Sequence, residues 1–247
     1  MISKVGTKLL IAALFVSCCL SFQVSGQIAH AGRIVFERKT NLLKRFDDPR
    51  MRNFIDEDHK IKTENFELLF NDTCSVFKPI ITDEEEDGMS WLTTKNTYYQ
   101  FENSNTKMSL LSLIGKEVHI KGEITKRNWT MTDSKRTIGK YECRKAIYQK
   151  NDSTRIYAWY ALDIAPSVGP EGFSGLPGAI LGLATEDGGI IYFAKSVELI
   201  APKKEVLTYT QGKNKSYSMQ EFKEKIEKDF GTQPWGKNLF NDMFRWL

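Results

Sequence analysis

Histidine and cysteine, from which most metal centres and many nucleophilic sites are assembled, are nearly missing: the 247-residue chain has three histidines and four cysteines. His30, His59 and His119 lie far apart and in no metal-ligand spacing, so no metal site is expected. No cofactor motif is present either, which makes the expected cofactor none. Long apolar runs are scarce. The most apolar stretch, Leu9–Leu20 ("LLIAALFVSCCL"), has twelve residues, whereas a helix needs about 20 to cross a ~30 Å hydrocarbon core. An excess of one charge sign is lacking too. The net charge of +4 is too balanced to argue for nucleic acid, and the basic stretch "TNLLKRFDDPRMR" is cut by Asp47 and Asp48.

What the N-terminus does contain is informative. Lys4 and Lys8 precede the apolar run, and the polar, small-residue stretch "QVSGQ" follows it. This is the pattern of a secretory signal peptide over residues 1–26, with Val24 and Gly26 at the −3 and −1 positions and Gln27 as the first mature residue. Ala29 and Ala31 offer a second, less well placed cleavage site. Lipid attachment at Cys18 or Cys19 is the rival reading, against which Phe15 stands where a lipoprotein signal carries a smaller aliphatic residue. The expected location is the periplasm or cell envelope, or the medium, with no transmembrane segment in the mature chain. In an oxidising compartment Cys74 and Cys143 form a candidate disulfide; the alternative is two small buried hydrophobes.

The mature chain is long enough for one domain with a real core, expected over residues 27–247. Period-2 patterning recurs along it. "GRIVFERK" sets Ile34 and Phe36 against Arg33 and Glu37, and "EVHIKG" sets Val118 and Ile120 against His119 and Lys121. "FELLFND", "DTCSVF", "NTYYQFEN", "KMSLLSLI", "NWTMTD", "KYECRKAIYQ", "TRIYAWYALDI" and "GIIYFAKSVELI" also have strand length and composition, separated by polar or glycine-bearing turns. Successive strands without interleaved helices predict a mainly β, antiparallel meander. Hairpins are expected at Lys140–Lys150 with Arg155–Ile164 and at Gly178–Thr185 with Gly189–Ile200. A C-terminal helical segment is expected over about 217–247. Ser218 and Glu221 make a capping box, Tyr217 faces Phe222 as a staple, and Phe222, Ile226 and Phe230 form the apolar stripe before Gly231 stops the helix. A second, shorter helix is expected from about Lys237 to Trp246. Asn41–Lys60 stays ambiguous, with Pro49 breaking whatever precedes it.

Two stretches invite a chemical reading. The acidic run Asp83–Asp87 lacks the alternate ligand spacing and central glycine of a calcium loop, so it reads as a solvated loop. "GPEGFSGLPGAI" places Gly169, Gly172, Gly175 and Gly178 three residues apart. It fails as a nucleophile elbow because Leu176 replaces the last glycine, as a phosphate loop by its spacing, and as collagen because the triplets stop. A rigid, turn-rich entry into the apolar strand "AILGLA" remains, with Pro170 and Pro177 stiffening it. Such a loop can also serve as a binding surface.

"YECRKAIY", "YAWYALDI" and "GPEGFSGLPGAILGL" together resemble the GLPGLI family of exported Bacteroidota proteins. The likeness rests on Cys143, Lys145 and Ala146, on Trp159 and Tyr160, and on Gly169, Pro170, Phe173, Gly175, Leu176, Pro177, Gly178 and Ile180, with Ala179 a departure. The resemblance implies a single curved, mostly antiparallel sheet, bowl or half-barrel-like, with one or two C-terminal helices packed alongside. It implies no catalytic residue. A similar bowl-like module occurs as a non-catalytic domain in some bacterial glycan amidases, and genes of the family stand beside outer-membrane transporters. The expected function is therefore an exported, non-catalytic binding or accessory protein of an outer-membrane system, its partner such a transporter or a small ligand. Strand aromatics (Trp129, Tyr157, Trp159, Tyr160) would line a concave binding face, unless they are core. The rival is a hydrolase with a carboxylate site, for example at Asp163 or Glu171. It would need two buried acids within ~5–10 Å, one of them with a raised pKa.

Overall fold

The computed structural model describes residues 28–45, 52–53, 55, 57–81, 92–113, 115–212 and 214–232. The signal pattern, the acidic run and the expected helix at 237–246 lie outside them. Alternating burial begins at once in β1 (Gly32–Asn41), where Gly32, Ile34, Phe36, Arg38 and Thr40 are buried and the residues between them are not. The pattern continues through β2 (Ile61–Phe70), β3 (Cys74–Pro79), β4 (Thr97–Phe101), β5 (Thr106–Leu113) and β6 (Lys116–Glu123). A second run follows as β7 (Trp129–Ile138), β8 (Tyr141–Asn151), β9 (Thr154–Ala161), β10 (Ala179–Thr185) and β11 (Ile190–Glu198). The short β12 (Ser216–Tyr217) precedes helix α2 (Met219–Phe230); a four-residue helix, α1 (Leu42–Arg45), follows β1. Both expected hairpins form, as β8–β9 and β10–β11.

All twelve strands share one open sheet in the order β12-β6-β5-β4-β3-β2-β1-β11-β10-β9-β8-β7. Two antiparallel meanders thus meet at the β1–β11 pairing, and β12 adds in parallel to β6. The order forces curvature. β6 and β7 stand ten strand positions apart, roughly 48 Å in a flat sheet at ~4.8 Å per strand. Only residues 124–128 join them, a link that reaches about 21 Å fully extended. The sheet must roll until its ends approach, and bulges in β7, β8, β10 and β11 help the strands bend. It does not close: among the described residues β6 pairs with β5 and β12, while β7 pairs with β8 alone. A seam is left between them.

One apolar cluster fills the rolled sheet, from Ile34, Phe36 and Phe66 through Ile120 to Ala158, Ile180 and Leu183. β10 is buried at every position, which accounts for its unbroken apolar sequence. Beyond β11 the chain crosses the outer face: Leu207 packs on Leu69 and Val76, and the Tyr209 ring packs at a tilt against Tyr99. His119 points away from Ile120, as its strand pattern requires. It is nonetheless buried, because Tyr209 covers it and donor or acceptor contacts reach it from Tyr209 Oη at 2.8 Å and Glu117 at 2.7 Å. α2 carries the complete capping box between Ser218 and Glu221 and lays Phe222 and Ile226 into the main cluster.

The candidate disulfide is not formed. Cys74 and Cys143 are free thiols on β3 and β8, which are six positions apart in the sheet rather than neighbours. Cys74 packs beside Leu69, Val76 and Leu207, and Cys143 is fully buried in the main cluster. The alternative reading of two small buried hydrophobes fits Cys143, and burial pushes its thiol up to about 11, where it is inert at neutral pH.

Candidate functional site

The glycine-rich segment, Gly169–Gly178, sits inside the roll of the sheet. Gln100 Nε2 on β4 donates to the Gly172 carbonyl at 3.0 Å, while Trp129 Nε1 on β7 donates to the Ser174 carbonyl at 3.0 Å. β4 and β7 are eight positions apart, roughly 38 Å if flat, yet a three-residue stretch touches both. The segment is therefore a plug that the sheet wraps. Trp129 also packs on Phe173 and Tyr148, and Arg127 lies over the Phe173 ring at 4.0 Å while donating to the Gly172 carbonyl at 3.2 Å.

Two glycines are dictated by this path. At Gly178 (φ 145) a Cβ would stand 2.1 Å from the Ala161 carbonyl oxygen. At Gly175 (φ 94) the backbone turns so that its amide donates to Ser167 Oγ at 2.7 Å. Side chains other than glycine are strained at such φ values. The chain then joins β10, with Ala179 donating to the Ile164 carbonyl and Ile180 to that of Val168.

Glu171 is the residue the plug delivers. It adopts φ 55 without being glycine, a strained conformation, and its side chain is only 4% exposed. Tyr192 donates its hydroxyl to Glu171 Oε1, and Tyr98 hydrogen-bonds the same carboxyl. Across from it, Arg38 donates Nε and Nη2 to Glu64 Oε2 at 3.1 and 2.5 Å, Nη1 to the Thr94 carbonyl at 2.9 Å and to Tyr192 Oη at 3.3 Å. Its Nη1 stands 3.8 Å from Glu171 Oε1, and its guanidinium lies 4.5 Å from the Phe66 ring centroid. Thr93 Oγ1 donates to Glu64 Oε1 at 2.7 Å, and Asn96 Nδ2 donates to Tyr98 Oη at 3.1 Å.

The electrostatics follow from burial. Loss of water raises the Glu171 carboxyl above the usual range, against the pull of Arg38 and the two tyrosine hydroxyls. Burial and the neighbouring carboxylate push Tyr98 and Tyr192 well up. For Arg38 burial acts downward, but Tyr192, Glu64 and Glu171 outweigh it and hold the guanidinium charged. One cation, two carboxylates and two phenols thus form a closed, mutually satisfied cluster.

The residues expected from sequence divide between the two faces. Tyr160 is buried on the inner face. Trp159 lies on the outer face, its ring tilted against that of Phe193 at 5.7 Å and covered by Arg136 and Lys145. Tyr157 is also outside, donating to Glu186 at 2.8 Å. Pro170, Phe173 and Leu176 are buried with the plug, whereas Pro177 is exposed. Asp163 is exposed at the end of β9 and takes no part in the cluster. Arg38, Glu64, Tyr98 and Tyr192 escape sequence reasoning. A signal was there: Arg38 extends the inward series Ile34–Phe36, and Glu64 extends Phe66–Leu68–Phe70, each with a charge where the pattern calls for an apolar residue.

Residues 149–182, from the end of β8 through the plug into β10, match the family described as "Protein of unknown function (Porph_ging)". Comparison with curated proteins finds no match. Among solved structures, PNGF-II in two crystal forms is similar with TM-scores of 0.55 and 0.54 at 15% identity; the match covers 79% of this chain and 32% and 33% of that one. An uncharacterized conserved protein from Thermus thermophilus is more distant, with a TM-score of 0.41 at 6% identity over 79% of this chain and 94% of that one. The chain spans about a third of the length of PNGF-II, and the likeness to it is one of fold.

Proposed function

We propose that the chain is an exported, non-catalytic member of the GLPGLI family, acting as a binding or accessory component of an outer-membrane system. The single observation that carries the reading is the fate of Glu171. The acid inside the identifying motif is committed to Arg38, Tyr98 and Tyr192 in the interior, so the motif serves architecture rather than reaction. Binding then belongs to the seam and the outer face instead of the centre of the bowl, which the plug occupies. The fold likeness to part of PNGF-II carries no activity to this chain.

One observation favours a carboxylate hydrolase. Glu64 and Glu171 both meet Arg38, and burial raises Glu171. These satisfy the demand for two neighbouring buried acids, one with an elevated pKa. Access is what the arrangement lacks: the side chains of Arg38, Glu64 and Glu171 are 4%, 1% and 4% exposed, which leaves no place for a substrate bond beside them.

Native mass spectrometry and co-purification from the envelope fraction of its own host test the proposal. A retained small molecule or a co-purifying outer-membrane protein is expected. Hydrolysis of envelope material by the purified protein, lost in a folded Glu171→Gln variant, would favour the hydrolase instead.

A further inference from the structure

We propose that the seam between the two ends of the sheet is an oxyanion site, built by Lys107 of β5 and Arg127 of the β6–β7 link, that takes the carboxylate or phosphate group of a small ligand. The two cations meet at Thr125. Lys107 Nζ donates to Thr125 Oγ1 at 2.7 Å, and Arg127 Nη1 donates to the Thr125 carbonyl at 3.4 Å. Anchored to one residue, the two charged groups lie within about 10 Å of each other.

Neither cation has a carboxylate within ion-pair reach among the described residues. Four other half-buried or buried cations are paired with carboxylates: Arg33 with Glu67, Arg38 with Glu64, Lys78 with Glu67 and Lys95 with Glu64. Like charges held together and half-buried without a counterion are costly, and burial together with Arg127 pushes Lys107 down to about 8. Burial lowers Arg127 as well. An anion between them removes that cost.

The donor inventory gives the ligand its chemistry. A guanidinium has five N–H groups and an ammonium three. Arg127 commits only Nη1, to Thr125 and Gly172, and Lys107 commits one contact. Arg127 Nε and Nη2 have no partner among the described residues, and neither is among the fully buried unpaired atoms, so solvent reaches them. The Phe173 ring, 4.0 Å from the guanidinium carbon, and the Gly172 carbonyl hold the guanidinium in place. That pre-organises its free edge for two parallel bonds to a planar or tetrahedral oxyanion, with Lys107 as the added point charge. The structural role of Arg127, holding the plug, explains one of the two cations. The Lys107 side chain hydrogen-bonds Thr125 and not the plug, so that role leaves it unexplained.

The site rests on the binding reading above and gives it a ligand chemistry. Calorimetric titration of the mature protein with inorganic phosphate, and separately with citrate and galacturonate, tests it and tells phosphate from carboxylate ligands. Saturable binding is expected, weakened about tenfold or more by Lys107→Met and again by Arg127→Lys, which keeps the charge but loses the fork. Lys121→Met, on the outer face, leaves it unchanged. Circular dichroism confirms that each variant is folded. Heats that do not saturate with any of the three anions, or saturable binding indifferent to both seam variants, would overturn the site. Co-purification of an uncharged ligand would overturn it too while leaving the binding reading intact.

Discussion

Arg38 shows how one residue sets the character of the interior. It occupies an inward position on β1 that Ile34 and Phe36 lead a reader to expect apolar, and its charge is tolerated because Glu64, Glu171, Tyr192 and the Thr94 carbonyl all meet it. Removing one member of such a group costs more than the group contributes. Arg38→Met should lose about 3–5 kcal/mol in chemical denaturation, while Arg38→Met combined with Glu64→Gln and Glu171→Gln should lose less than the single change. The deficit of the single variant should shrink as pH falls, because a carboxyl raised by burial favours the fold once it is protonated. Lys107 behaves oppositely. Its folded pKa of about 8 lies below the ordinary lysine value, so the unfolded chain holds more protons between about pH 8 and 10.5 and stability rises across that window. Without an anion, Lys107→Met should therefore be more stable than the parent at pH 7, by on the order of 1 kcal/mol. The advantage should fade toward pH 10. Paired denaturation curves at the two pH values check it.

At the scale of elements, the plug is the part on which the others depend. Gly178→Val would drive a branched side chain against the Ala161 carbonyl at a backbone angle that valine avoids. It should lower the yield of folded protein, measured by fractionation into soluble and insoluble material, before any binding is affected. A well-folded Gly178→Val protein that had lost only ligand binding would reverse that order. Most strands were legible in advance because period-2 alternation survives wherever one face is buried, as in "GRIVFERK" and "EVHIKG". The helix from Met219 was legible from its cap and stripe. The segment "GPEGFSGLPGAI" was readable as a rigid, turn-rich entry to β10, but not as a plug, since nothing local says that Gln100 and Trp129 meet it. The buried cluster was hidden for the same reason. Arg38, Glu64, Tyr98, Glu171 and Tyr192 come from β1, β2, β4, the plug and β11, and only the long-range pairing of β1 with β11 assembles them.

For the whole molecule, the order of strands ties these scales together. Two meanders joined at β1–β11 put β7 at one end of the sheet and β6 next to the other, beside the short β12, while a five-residue link holds them close; the sheet rolls, the plug fills the roll, and the seam remains. The central claim is that the glycine-rich segment is a permanent part of the core, locked by Glu171 and the carbonyl contacts of Gly172 and Ser174, rather than a lid over a ligand cavity. Native-state hydrogen exchange tests this most directly, through the hydrogen-bonded amides of Phe173, Gly175, Gly178, Ala179 and Ile180. If the account is right, these amides exchange only through global unfolding, with protection equal to that of β1 and β10. Exchange of Phe173 and Gly175 by local opening, much faster than those strands, would contradict it and make the segment a gate.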